Sequence, residues 1–486
     1  MKDRKKLLAA VVMTVLTAWG IHQVQEFRFC NLEGVNLFLY DTDHILAVLS
    51  GHGGLALLVS SFLTQFMRVP FLGAAIAAAL YVLTGWMTGR ILGKINGGSA
   101  MDGLAFLPVA FMFLCLENDY YMFHGHIALA MSVAAVLAYA SLPQDRPSLR
   151  YAAALAAAPL LYFLVGSAAL VYAAGVLVLE VLRNGLRGLR AVSCPAVMIL
   201  TAAAFVRLSV ASGWDTALTP FMYYSHPSTY FFPVYAWCSL PLLMVVAWAS
   251  SRITLKPSHS MIVAGAGLAL SFSVAWNLYG KVHSRSHYRL LSEQYMAEAG
   301  DWDGIIRTAD RSQPTFFVSY LNLALARKDM LTKNFMHYRP QTLSSLMYPT
   351  PNLRAGFSMQ SMVYGSWGYH AAARQAAFDA NMVTPGMHNP RQLKVLVETN
   401  MALGDDEVAL KYISILEKTL FYRKWAEARR DAIGGPSSAV LPHTDGYVRY
   451  DGIKGDMRDI LEADPSQRIL AQFYELYQIL EKEEVI

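Results

Sequence analysis

Apolar residues fill the first 280 residues in long runs, whereas the rest of the chain mixes apolar and polar positions at helical spacing. A helix of about 20 apolar residues is long enough to cross the hydrocarbon core of a bilayer. We predict about nine such spans, at residues 7–22, 70–90, 102–116, 122–142, 151–166, 167–183, 191–210, 231–250 and 261–279. The predicted fold class is all-α, with a polytopic transmembrane domain at residues 1–280.

The stretch 44–66, HILAVLSGHGGLALLVSSFLTQF, is apolar enough to span but contains Gly51-His52-Gly53-Gly54. Glycines weaken a straight helix. A further span here would also reverse the side of every later basic cluster. We therefore predict that 44–66 forms a re-entrant or interfacial helix.

Basic residues between the spans predict the orientation. They form five clusters: Lys2, Arg4, Lys5 and Lys6; Arg90 and Lys94; Arg146 and Arg150; Arg183, Arg187 and Arg190; Arg252 and Lys256. With nine spans all five lie on one side, which the positive-inside rule makes cytoplasmic. We expect a multi-pass protein of the bacterial inner membrane with a cytoplasmic N-terminus and a periplasmic C-terminal domain.

Residues 281–486 form the second predicted domain, a soluble array of short amphipathic helices. Its clearest unit is PRQLKVLVETNMALGDDEVALKYISILEKT, 390–419, in which two helices meet near Gly404. Similar units occupy 292–311 and 319–338, and 368–385 is predicted to be the second helix of another unit, which closes on Pro385. The stretches 339–366 and 433–457 are predicted loops. The pattern is typical of a tetratricopeptide-like helical repeat.

Composition agrees with this division into a membrane part and a soluble part. The chain is 55% hydrophobic and 15% charged, and its mean hydropathy is +0.33. The net charge of +5 is explained by basic loops and does not indicate nucleic acid as a partner. Glycine-rich phosphate loops, nucleophile elbows and zinc motifs are missing from the sequence, which disfavours ordinary ATPases and hydrolases.

The first candidate site is the pair Asp41 and Asp43 in FLYDTDHIL, on the predicted outer face. One carboxylate could take a proton from an attacking hydroxyl, and the other could bind a divalent cation such as Mg²⁺ or Mn²⁺. The alternative is a polar loop whose acids cap the helix that follows.

A second acidic motif, Glu117 and Asp119 in LENDYYMFHGH, lies in the next outer loop. Two acidic pairs on one face could converge on one cation, so Asp43, Glu117 and Asp119 are the candidate metal ligands. The alternative is a tight polar turn with tyrosines at the membrane interface. Glu26 and Arg28 are expected to be local loop partners.

A basic cluster follows the last span on the outer side, against the positive-inside pattern. It contains Lys281, His283, Arg285, His287 and Arg289. Such side chains could hold a lipid-linked phosphate, or they could anchor the chain to anionic lipid head groups.

This arrangement of an acidic pair after the first span, an interfacial helix, a second acidic motif and a periplasmic tail resembles the GT-C superfamily. Members are polytopic glycosyltransferases that use polyprenyl-phosphate-linked sugars. The resemblance implies that Asp41 or Asp43 is the catalytic base and that Glu117 and Asp119 match the second acidic motif. The helical tail is similar to those of some protein O-mannosyltransferase relatives.

Across most of its length the chain also resembles a family of uncharacterised bacterial membrane proteins, a domain of unknown function. The stretches that carry this resemblance are GGLALLVSSFLTQF, ENDYY, DWDGII, YLNLALA and ALKYISILEKTLFYRKWA.

The resulting hypothesis is an inverting membrane glycosyltransferase. It would transfer a sugar or glycan from a polyprenyl-phosphate-linked donor to a periplasmic acceptor, a protein Ser/Thr hydroxyl or an envelope glycan, recruited by the repeat domain. The alternative is a non-catalytic, membrane-anchored scaffold for envelope proteins. A transporter is less favoured, because its acids would be expected near mid-membrane.

Overall fold

The structure is a computed structural model that describes residues 2–226, 232–253, 256–312, 315–338, 342–346, 354–387, 389–433 and 452–484. It divides into two compact units. The first comprises Met1–Glu33 and Asp41–Ser284, and the second comprises Gly34–Tyr40 and Arg285–Ile486. The chain therefore passes from the second unit to the first between Tyr40 and Asp41.

The described part of the first unit is built from α-helices. They are α1 Lys2–Glu33, α2 Thr42–Leu49, α3 Gly54–Thr64, α4 Leu72–Asn96, α5 Leu107–Cys115, α6 His124–Ala140, α7 Pro147–Val165, α8 Ala169–Asn184, α9 Ser193–Arg207, α10 Trp214–Leu218, α11 Phe232–Ser250 and α12 Pro257–Val282. Each apolar run predicted to span the membrane overlaps one of these helices. Small residues allow close packing: the Cα of Gly103, for example, lies so near the backbone of Ala264 on α12 that a Cβ would collide with it.

Several of these helices are long and apolar enough to cross a membrane. Among the described residues there are four such stretches: Leu72–Asn96, Pro147–Arg207, Phe232–Ser250 and Ser258–Val282. Shorter apolar helices lie at Gly54–Arg68, Leu104–Cys115 and His124–Ala140. By length and composition these helices could span a membrane, whereas the number nine stays a prediction.

The predicted interruption of 44–66 is present. Helix α2 ends at Leu49, and α3 begins at Gly54 after Gly53, whose φ of +73° is a left-handed conformation that glycine adopts without strain. The Gly53 N–H donates to the Phe163 carbonyl at 2.8 Å. Neither helix is long enough to cross a bilayer alone.

The second unit is also helical where it is described. Its helices are α13 Arg285–Ala299, α14 Trp302–Thr308, α15 Thr315–Arg327, α16 Leu331–Asn334, α17 Leu343–Leu346, α18 Arg354–Ser366, α19 His370–Met382, α20 Pro390–Ala402, α21 Asp406–Leu416, α22 Arg423–Ala432, α23 Gly452–Ala463 and α24 Arg468–Glu484.

Helical hairpins are found where the sequence predicts them. Gly300, at φ +75°, ends α13, and the Asp301 carboxylate caps α14 by accepting the Gly304 N–H at 2.9 Å. Gly404, at φ +79°, separates α20 from α21. Leu396 of α20 and Leu416 of α21 are buried. A helical array is thus shown, whereas its tetratricopeptide character stays a prediction.

Two features of the second unit differ from expectation. The predicted loop 339–366 contains the helices α17 and α18, although parts of it, and most of 433–457, lie outside the described residues. In addition, residues 34–40 belong to the second unit. Leu37 and Leu39 pack in its core with Leu393 and Ile413, and the Tyr40 N–H donates to the Lys418 carbonyl at 2.7 Å.

Candidate functional site

A buried guanidinium, that of Arg28, is the centre of a polar cluster in the first unit. Gln25 and Arg28 lie three residues apart on α1, so their side chains project from the same face. The Arg28 side chain is 3% exposed. It donates from Nη1 to Oδ1 of Asp119 at 2.6 Å and from Nη2 to Oε2 of Glu117 at 3.2 Å.

Glu117 is held from three directions. Its side chain is only 1% exposed. Nε2 of Gln25 donates to its Oε1 at 2.9 Å, and Nδ1 of His283 donates to its Oε2 at 2.9 Å, next to the bond from Arg28. One carboxylate therefore joins α1, the loop after α5 and the residue that follows α12.

Local structure fixes the loop that carries the two acids. The Asn118 side chain accepts the Tyr120 N–H at 2.9 Å, which closes a tight turn between Glu117 and the next helix. Tyr121 then forms an isolated antiparallel bridge with Tyr224. These contacts give the loop a defined conformation.

His283 is positioned by the end of α12. The backbone N–H of His283 donates to the Tyr279 carbonyl at 2.8 Å, and the imidazole ring stacks on the Tyr279 ring with centroids 4.6 Å apart. The Tyr279 hydroxyl in turn donates to the Val24 carbonyl of α1 at 3.3 Å. The imidazole is thus aimed at Glu117 by two neighbouring helices.

The cluster is electrostatically compact. It contains one guanidinium, two carboxylates and one imidazole, all joined by direct bonds. Burying an ion is costly unless partners replace water, and here direct bonds do so. Within the described chain, Nε of Arg28 and Oε1 of Gln25 still have no hydrogen-bond partner.

The first acidic pair lies at the start of α2. Asp41 occupies the N-cap position with extended backbone (φ −138°, ψ 125°), and Asp43 lies exposed in the first turn. The Asp41 side chain makes no capping hydrogen bond to α2. Of the capping alternative, only the favourable interaction of the two carboxylates with the helix dipole remains. Their proposed catalytic role stays a prediction.

The basic cluster is divided between the units. Lys281 is exposed in the last turn of α12, and His283 joins Glu117. Arg285, His287 and Arg289 lie on α13 of the second unit. Arg289 donates to Glu293 at 2.9 Å and to Asp310 at 2.6 Å, so its charge is compensated by acids of its own unit.

The predicted metal ligands include two residues whose carboxylates bond to Arg28. Among the residues that the structure describes, no group of three or more His, Cys, Asp or Glu side chains could hold a metal ion. The Arg28 guanidinium bonds to both Glu117 and Asp119. The sequence instead predicted that a divalent metal ion is bound by these two carboxylates. A bound Mg²⁺ or Mn²⁺ stays a prediction.

Gln25 and Arg28 are site residues that the sequence did not predict. Arg28 was expected to be a local loop partner, but it bonds to acids about 90 positions away in the chain. The available signal was its place at the end of an apolar helix, where an arginine needs a partner.

Comparison with known proteins leaves the activity open and settles the family. No curated protein and no solved structure matches the sequence. The model of a family of unknown function, DUF6057, matches residues 4–483. The chain therefore belongs to that family.

Proposed function

We propose that this protein is a membrane glycosyltransferase that moves a sugar or glycan from a polyprenyl-phosphate-linked donor to an acceptor hydroxyl in the periplasm. The observation that carries the proposal is the buried Arg28–Glu117–Asp119–His283 cluster. Ionisable groups inside an apolar helical unit are expensive, and they commonly mark functional sites.

The acids take different roles in this proposal. Glu117 and Asp119 are positioning residues, because their carboxylates are committed to Arg28 and, for Glu117, to Gln25 and His283. Asp41 or Asp43 is the base, since at least Asp43 is open to an acceptor hydroxyl at the start of α2. Which of the two accepts the proton is left open.

The donor would be recognised by its phosphate. Lys281 is exposed in the last turn of α12, two residues before His283 of the cluster. A cation there would stabilise the departing polyprenyl phosphate, in which negative charge develops. The second unit, an array of helical hairpins, would recruit the acceptor.

Single substitutions at the two aspartates test the assignment. In a deletion strain, one of the two variants Asp41→Asn and Asp43→Asn, the one that removes the base, is expected to leave the envelope glycans as in the deletion. Loss of a general base typically slows a reaction by about 10²–10⁴-fold. Asp215→Asn is the matched control, since Asp215 is likewise exposed in the first turn of a short helix, α10. It is expected to restore wild-type glycans. Wild-type glycans with both single variants, in a background where deletion alters them, would rule out this catalytic assignment.

A non-catalytic scaffold is the second candidate. The observation in its favour is an apolar patch around the end of α19, where Phe378, Met382, Val383 and Met387 are all exposed. Patches of exposed large apolar side chains commonly mark protein interaction sites. This candidate predicts that both aspartate variants function normally and that Met382→Ser does not.

A further inference from the structure

A second buried ionic cluster lies away from the site described above, on α6, α7 and α8. Glu180 of α8 is 3% exposed. It accepts a hydrogen bond from Arg150 of α7, from the Tyr139 hydroxyl at 3.0 Å and from the Tyr151 hydroxyl at 3.2 Å. Asn184, one turn later, donates to the same carboxylate at 2.8 Å.

This cluster contains more cationic groups than anionic groups. Arg183 lies within electrostatic range of both Arg150 and Glu180, and Arg190 lies within range of Tyr151. Arg150 bonds to the single carboxylate of Glu180, Arg183 lies near both, and Arg190 adds a third guanidinium group near Tyr151. A surplus of positive charge at a partly buried site favours an anion.

Hydrogen-bonding capacity is also left over. Arg150 is 5% exposed, and its Nε has no hydrogen-bond partner among the described residues; the same is true of the buried Nη1 of half-buried Arg183. Guanidinium N–H groups match phosphate oxygens in geometry, and leaving buried ones unsatisfied is costly. An oxyanion at this position would supply the missing acceptors.

The rim of the cluster points to a lipid. The 3₁₀ segment Gly185–Val192 follows α8 and alternates basic and apolar side chains. Leu186 is 85% exposed and Leu189 is 49% exposed, beside the exposed Arg187 and Arg190. Exposed leucines interleaved with arginines are typical of a segment that lies at the bilayer surface.

We infer that Arg150, Arg183 and Arg190 form a binding site for the head-group phosphate of an anionic phospholipid, with Leu186 and Leu189 against its acyl chains. The site does not depend on the proposed glycosyltransferase activity. It is also more specific than a general attraction of basic loops to the membrane, because the unsatisfied N–H groups of Arg150 and Arg183 are buried.

Lipid titration of the full chain in detergent tests the site. The melting temperature is followed against added phosphatidylglycerol, phosphatidylcholine or inorganic phosphate, and apparent Kd values are extracted. The wild type is expected to bind phosphatidylglycerol in preference to the other two. Arg183→Gln with Arg190→Gln is expected to weaken that binding by about 30-fold, since each basic residue near an anionic lipid contributes roughly a factor of five to six.

The control is Arg252→Gln with Lys256→Gln, which removes the same charge from another exposed basic cluster. It is expected to retain wild-type affinity. An equal loss in both double variants, or no loss in either, overturns a specific site, and equal binding of inorganic phosphate overturns the assignment to a lipid. If Arg183→Gln prevents folding, the exposed Arg190→Gln alone is compared with Arg252→Gln on the same criteria, with an expected loss of about fivefold.

Discussion

Glu293, on α13 of the second unit, is a carboxyl group that water barely reaches, since it is 1% exposed. Burial raises its pKa from 4.5 to about 7, and the nearby Asp310 acts in the same direction, although Arg289 at 2.9 Å opposes the shift. Its Oε2 has no hydrogen-bond partner in the described part of the chain. The folded protein therefore binds a proton near neutral pH that the unfolded chain has released.

This shift predicts the direction of a pH dependence. Because the folded pKa lies above the unfolded value, the contribution of Glu293 to stability is greatest below pH 4.5 and is lost as the pH rises towards 7. The full loss is on the order of 3 kcal/mol. Relative to the wild type, Glu293→Gln should therefore raise the melting temperature more at pH 8 than at pH 5.

The control is Glu475→Gln, at an exposed position on α24, whose melting temperature should follow that of the wild type across the range. A difference between Glu293→Gln and the wild type that is the same at pH 5 and pH 8 would refute the raised pKa.

At the scale of elements, Arg28 ties α1 to the loop after α5, and Glu117 extends the connection to the end of α12. Removing one partner of a buried ion pair is more costly than the pair is stabilising, because the remaining charge stays buried. Arg28→Gln should thus destabilise the protein by about 3–5 kcal/mol. The exposed Arg90→Gln, in the C-terminal part of the long apolar helix α4, should change stability little.

Combining Arg28→Gln with Glu117→Gln measures how much of the loss in stability comes from the ion pair between these two side chains. The double variant should lose less stability than the sum of the losses in the two single variants, because it leaves neither the Arg28 nor the Glu117 charge behind without its partner. Thermal unfolding of all three variants in one detergent measures these losses. Strict additivity of the three values would mean that the two side chains are not coupled.

The helices themselves were largely predictable, because long apolar runs and glycine turns are local signals. Helix α18 was not, since only Met359 and Val363 are large apolar side chains among its buried residues, and the others are glycine, serine or glutamine. The bonds of Arg28 and the packing of residues 34–40 in the second unit were hidden for another reason. They join positions far apart in the chain, which a single sequence does not reveal.

At the scale of the whole molecule, an apolar helical unit with a buried ionic cluster and a helical-hairpin unit are combined in one chain. A scaffold needs only an anchor in the membrane. An enzyme that uses lipid-linked donors needs an apolar unit that admits the lipid and polar groups that act on its head. The cluster around Arg28 is the feature that favours the enzyme.

The pool of polyprenyl-phosphate-linked sugars tests this claim most directly. A strain carrying Asp41→Asn with Asp43→Asn should accumulate the same lipid-linked sugar as the deletion strain. Its pool should rise several-fold or more, because loss of the general base slows the transfer that consumes the donor. It should also lose the same envelope glycan, whereas the Asp215→Asn strain should match the wild type. A double variant with a wild-type donor pool and wild-type glycans, beside a deletion that changes both, would contradict the account and favour the scaffold.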